Sequence, residues 1–165
     1  MLPILYVAIM NIISYHKKFA TAFKDLNIEW LETYFYVEPY DLEVLSNPDK
    51  YIIEKGGYIF FSRANEKITG TVALMKMEDG VYELTKMAVN KNMRSNGIGQ
   101  RLMQYCLQFA KENNFKKLIL YSNTKLENAI YIYRKWGFQE VTLENTSSYK
   151  RANIKMELSI ISLAN

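Results

Sequence analysis

Arg94, Gly97 and Gly99 stand three and two residues apart within NKNMRSNGIGQRL (residues 90–102), and an amphipathic pattern begins directly behind them. Glycine reaches backbone dihedrals closed to other residues, so this stretch can turn several N–H groups toward one side. The start of a helix adds its own unpaired donors and the positive end of its dipole. Arginine supplies a fixed charge that pairs with phosphate through two parallel hydrogen bonds. A pyrophosphate suits such a turn. Two better-known phosphate motifs do not match, because no GK[ST] follows at the required spacing and the dinucleotide fingerprint lacks its third glycine and its acidic partner. By itself, Gly-x-Gly ahead of a helix also fits a tight strand-to-helix connection.

Other chemistries are short of residues. Cys106 is the only cysteine and His16 the only histidine. No disulfide can form within the chain, and a His/Cys metal site would lack ligands, so no metal is expected. A Ser-His-Asp or Cys-His nucleophile would have to use His16, which precedes a helical pattern with no partner signature and reads as a surface or capping residue. Cys106 falls on an apolar helical stripe, where a buried, inert thiol is expected.

At 165 residues, 49% of them hydrophobic, the chain can bury one substantial core, and residues 1–165 are expected to form a single domain. Charge is unevenly spread. Residues 21–50 carry seven acids against two lysines, whereas residues 86–135 carry ten cations against two acids. One half is suited to attract a cation and the other an anion. The opening MLPILYVAIMNIIS has no basic start, no small-residue cleavage site and too little length to cross a bilayer. A cytoplasmic protein without membrane partners is expected. Residues 1–9 read as a flexible extension, or as a start assigned too early with Met10 the true one.

These residues need elements to position them. Asn11 to Tyr15 reads as a strand, and Phe19, Phe23, Leu26, Trp30 and Tyr34 mark one face of a helix. A shorter helix follows near Asp41 to Leu45, and Pro48 opens another turn. GYIFFSRA and KITGTVALMKM are β-rich, and Asp79-Gly80 has the chemistry of a hairpin turn folding the second run onto VYELTKMAV. A helix is predicted from about Gly97 to Asn113, then a strand in KKLILYS, a helix lined by Leu126, Ala129, Ile130 and Tyr133 and ending at Gly137, and two strands in FQEVT and ANIKMELSI. The order implies an α/β (α+β) fold, a mixed sheet with helices on both faces.

The glycine turn, the KMAV before it, and the later N-x-x-x-x-N-A-x-x-x-Y-x-x-x-G-F (Asn123, Asn128, Ala129, Tyr133, Gly137, Phe138) together resemble the GCN5-related N-acetyltransferase (GNAT) superfamily. Arg94, Gly97 and Gly99 match its R-x-x-G-x-G signature. The resemblance is specific over residues 81–140 and extends through strand order to residues 11–160, implying a mostly antiparallel sheet of about seven strands. It also implies acetyl-CoA as co-substrate and acetyl transfer to a primary amine by direct attack in a ternary complex. The pantetheine arm would lie along Met87, Ala88 and Val89, and the pyrophosphate on the amides of Arg94, Ser95, Asn96, Gly97, Ile98, Gly99 and Gln100. Asn123 and Asn128 would steady the arm. Glu83 matches a general base of the histone-acetylating branch, and period-two alternation puts it on the face of Met87. Tyr133 matches a general acid beside the coenzyme sulfur. Each also fits a plain structural role, Glu83 as a surface carboxylate and Tyr133 as a core tyrosine.

The acceptor is expected to be a small-molecule or peptide amine. Trp30, Tyr34 and Glu38, with Tyr40 and Asp41, lie where the resemblance puts the acceptor wall, and ring faces and carboxylates suit a cationic amine. Trp30 and Tyr34 equally fit a helix core stripe. Arg151 and Asn153 could face the same cleft or occupy ordinary strand positions. A non-catalytic acyl-CoA sensor of the same fold is the alternative function. Nucleic-acid binding ranks last, because the cations cluster at the glycine turn and no nucleic-acid module is present. Monomer and homodimer both remain open.

Overall fold

The structure, a computed structural model, describes residues 10–144 and 149–160. The expected extension at residues 1–9 lies outside them. Seven strands form one sheet in the order β1-β2-β3-β4-β5-β7-β6. They are β1 (Asn11–Ser14), β2 (Tyr58–Ala64), β3 (Lys67–Glu78), β4 (Val81–Val89), β5 (Lys117–Ser122), β6 (Gln139–Val141) and β7 (Ile154–Ser159). Every pairing is antiparallel except that of β4 with β5. Four α-helices join them: α1 (Ala20–Tyr34), α2 (Pro39–Ser46), α3 (Ile98–Glu112) and α4 (Glu127–Lys135). The expected sheet and its helices on both faces are present.

Local chemistry sets the turns. Asn65 and Glu66 both take positive φ between the paired Ala64 and Lys67, and Gly80 takes φ +79° between Glu78 and Val81. Two-residue hairpins need such dihedrals to match strand twist. Pro39 opens α2 where its missing N–H is not needed, and Glu38 and Asp41 close a capping box on it. His16 caps the short 3-10 turn Lys17–Phe19, its Nδ1 accepting from the Lys18 N–H at 3.1 Å.

Two apolar cores lie on opposite faces of the sheet. Under α3, Leu102, Met103 and Cys106 pack on Phe60, Val72 and Leu74. Beneath α1 and α2, Phe23, Leu31, Val44 and Leu45 pack on Ile59 and Phe61. Cys106 is fully buried, and burial pushes its thiol pKa up, so it is inert as expected. The stripe on α1 is rotated from the expected one. Its buried residues are Phe23, Asn27 and Leu31, whereas Leu26 is half-buried and Tyr34 exposed. Asn27 can face inward because its amide donates to the Phe23 carbonyl at 3.0 Å.

One irregularity positions the site. Ala73 faces Thr85 and Thr71 faces Ala88, so two steps along β3 match three along β4. The extra residue makes a bulge, with Lys86 at φ +57°. Side-chain parity therefore flips: Tyr82 and Leu84 before the bulge and Met87 and Val89 after it all join the α3-side core. Glu83 lies on the opposite face from Met87, which corrects the alternation argument. Pairing of β4 with β5 stops at Glu83 with Ile119, and the two strands then part.

Candidate functional site

Two cavities open where β4 and β5 separate. The first is walled by Trp30 of α1, by Thr85 and Lys86 at the bulge, by Tyr121 to Asn123 at the end of β5, and by Tyr149 and Arg151. The second lies against Met93, Arg94 and Ser95, the start of α3, and Asn128, Ile132 and Tyr133 of α4. They meet: Met87, Ala129 and Tyr133 line both. A molecule lying across this junction would be reached from either side.

The second cavity gathers most residues of the glycine turn. Gly97, Ile98, Gly99 and Gln100 line it with Arg94 and Ser95. Gly97 takes φ +78° and no side chain caps the helix start, so the first-turn N–H groups of α3 stay available. Ser95 is also left-handed, at φ +68°. Gly99 is different from the expectation. It lies inside α3, and a Cβ there would face Met87 Sδ at 3.7 Å and Val89 at 3.9 Å. Space, not dihedral freedom, is what this glycine provides. Asn96 turns its amide back to the Met93 and Arg94 carbonyls and does not line the cavity.

Arg94 is held by α1. Its guanidinium pairs with Glu29 and lies 5.4 Å from the Tyr34 ring, while its Nε is buried with no hydrogen-bond partner among the described residues. Asn128 lines the second cavity, but Asn123 lines the first. The Asn123 side chain is engaged by protein, donating to the Arg151 carbonyl at 2.8 Å and accepting from the Lys125 N–H at 2.9 Å. Val89 lines the second cavity, and Ala88 is buried and lines neither.

A buried charged cluster stands behind the first cavity. Arg151 reaches both oxygens of Asp41, at 2.5 and 2.9 Å, and Glu38 at 2.7 Å. Burial alone would raise the Asp41 pKa, but hydrogen bonds from Arg151 and the charge of Lys86 hold it below the usual carboxylate range. Lys86 Nζ donates to the Tyr149 hydroxyl at 3.3 Å and sits 3.5 Å from Asp41. The Thr85 and Tyr149 hydroxyls lie toward Glu83 and, with Lys86, pull its pKa down against burial. Burial pushes Glu83 up and Lys86 down, each against the pull of the other. Glu83 itself lines neither cavity.

The expected acceptor residues divide. Trp30 is on the first cavity's wall, stacked with Tyr34 at 5.1 Å and Phe35 at 5.8 Å. Tyr34 instead covers Arg94, and Glu38 serves Arg151, the Lys150 N–H and the α2 capping box. Neither Tyr34 nor Glu38 lines the cavity, because each is committed to holding an element in place. Arg151 does line it, while Asn153 pairs with Thr124. Lys86 and Tyr149 were missed by sequence reasoning. A lysine in the middle of a β-rich run was the available signal for the first; Tyr149 carried none.

The family model described as "Acetyltransferase (GNAT) family" matches residues 23–138. The chain belongs to that family. Over 99 residues this GNAT chain is 31% identical to the N-acetylaspartate synthetase of Xenopus tropicalis, covering 59% of itself and 36% of that protein. It spans less than half the length of the curated relatives it matches first. Its fold is similar to that of a GNAT-family acetyltransferase from Staphylococcus aureus Mu50, with TM-score 0.80 and 22% identity over 92% of this chain and 99% of the other. It is also similar to PaiA N-acetyltransferase of Thermoplasma acidophilum in complex with coenzyme A, with TM-score 0.71 and 16% identity over 91% and 98%. Among the described residues no helix is long and apolar enough to cross a membrane, and no cluster of His, Cys, Asp and Glu could hold a metal ion.

Proposed function

We propose that this GNAT chain transfers an acetyl group from acetyl-CoA to a primary amine, with donor and acceptor meeting between Met87 and Tyr133. The observation that carries this reading is the junction of the two cavities at those residues. The donor set fits the coenzyme: an uncapped helix start, a buried Arg94 N–H lacking a partner, and a β4 edge unpaired beyond Glu83. Arg94 and the amides of Ser95 and of Gly97 to Gln100 would hold the diphosphate. The β4 edge from Met87 to Val89 would hold the extended arm in the manner of an added strand. When bound, the coenzyme supplies an acetyl group activated as a thioester.

The chain supplies position and proton handling. The Met87 N–H is the donor offered at the reacting carbonyl. Tyr149 lines the acceptor cavity and passes the amine's proton back to Glu83, which stands one layer behind. Tyr133 lines the junction and is kept protonated by burial, which raises its pKa. It is the proton donor to the leaving thiolate.

Thiol release from acetyl-CoA across a panel of amines, beside calorimetric titration with coenzyme A, tests the assignment. Amine-dependent release is expected. Tyr133→Phe should lower kcat by about 100-fold, the lower end of a general-acid contribution, and leave coenzyme affinity within about twofold. Coenzyme binding without release on any amine would favour the sensor of the same fold.

A further inference from the structure

Lys86 has no part in the proton path above, yet the fold goes out of its way to place it. It is the residue inserted by the β4 bulge, held in the left-handed region that non-glycine residues rarely take, and its side chain is 4% exposed. It lines the acceptor cavity. An ammonium has three N–H donors, and a buried one is expected to use them. Among the described residues Lys86 finds only the Tyr149 oxygen at 3.3 Å and Asp41 Oδ1 at 3.5 Å, both long, with the Tyr149 and Tyr40 rings at 4.6 and 6.0 Å. This cation is short of hydrogen bonds, and it lines the cavity where the acceptor would lie.

The neighbouring charges give that shortage a sign. On the wall itself stand Lys86, Arg151 and one carboxylate, Asp41, which both cations already share. Glu38 is consumed by Arg151, and Glu83 is buried and does not line the cavity. No wall carboxylate is left for a cationic acceptor, contrary to the sequence-based expectation.

Resting on the proposed acetyl transfer, we infer that Lys86 anchors a carboxylate of the acceptor, so that the acceptor is an amino acid or another amino carboxylate and not a polyamine. One carboxylate oxygen would give the ammonium the short, charge-assisted hydrogen bond it lacks. Selectivity then comes from a buried donor left unpaired whenever the acceptor has no such group.

Matched pairs test this: phenylalanine against phenethylamine, and leucine against 3-methylbutylamine, each assayed for thiol release with saturating acetyl-CoA. For the wild-type chain, kcat/KM is expected to be at least about tenfold higher for the carboxylated member, chiefly through KM. Lys86→Met should collapse that ratio toward one, and Lys86→Arg should restore part of it; coenzyme A calorimetry on both variants reports whether the fold is intact. An independent readout needs no turnover: 3-phenylpropionate should raise the Tm of the coenzyme-bound wild type and not that of Lys86→Met. Wild-type preference for the plain amines, or a preference that survives in Lys86→Met, overturns the inference while leaving acetyl transfer standing. A wild type that binds no coenzyme overturns the donor site and this inference with it.

Discussion

Glu83 illustrates how far one side chain's role depends on its surroundings. At 5% exposure it cannot touch an acceptor, but Tyr149 connects it to the cavity. Burial raises its pKa above the glutamate range, despite the Lys86 charge and the Thr85 and Tyr149 hydroxyls, which pull the other way. To accept a proton it must first lose one, so kcat/KM should rise with pH through this raised value and level off above it. In Glu83→Gln that limb should disappear from the pH–rate profile and kcat/KM should fall by about 100-fold. Stability shifts with the opposite sign. A raised folded pKa stabilises the fold below the unfolded value of about 4.3, and this contribution is lost as pH rises through the folded value.

Among the elements, α3 carries the clearest conflict between stability and binding. Gly99 lies within its first turn, where alanine is the better helix former by about 1 kcal/mol. The added methyl would meet Met87 and Val89 at ordinary contact distances, so the free protein loses nothing by accepting it. It would also project into the second cavity. Gly99→Ala is therefore expected to raise Tm and to weaken coenzyme A binding about tenfold, read by thermal melts and calorimetry on one preparation. Both changes in the same direction would contradict the assignment of this helix start. Elements of this kind were legible in the sequence: periodicity fixed α3 and α4, Asp79-Gly80 fixed the hairpin, and VYELTKMAV matched β4 residue for residue. The bulge was not legible, since no residue type near Lys86 announces a positive φ. For that reason the face of Glu83 was misread, and the lysine that lines the first cavity was passed over. Similarly, the buried stripe on α1 was obscured by Asn27, a polar residue that satisfies itself against its own helix.

Across the whole molecule, the acidic and basic stretches of the chain meet in two ion pairs, and Arg151 adds a third link to the acidic one. Glu29 pairs with Arg94, and Asp41 with Lys86 and Arg151, so α1 and α2 are pinned to the sheet across the cleft. Part of the charge asymmetry is thus resolved internally. The two links differ in burial. Glu29 is about a third exposed and its pair should weaken with added salt, whereas Asp41 is fully buried and its pair should not. Asp41→Asn leaves a buried guanidinium without its bidentate partner and should destabilise the fold by about 3 kcal/mol, measured by urea unfolding at neutral pH. Glu29→Gln serves as the comparison, with an expected change below about 1 kcal/mol.

The parting of β4 and β5 reaches beyond the residues that line it. Only Val81 to Glu83 pair across to Lys117 to Ile119, so the sheet consists of two blocks stitched along one short seam. An extended molecule lying in the gap would supply rungs that the chain itself leaves out. On the proposed reading, the resting protein is an unfinished ladder whose missing strand would arrive with the coenzyme.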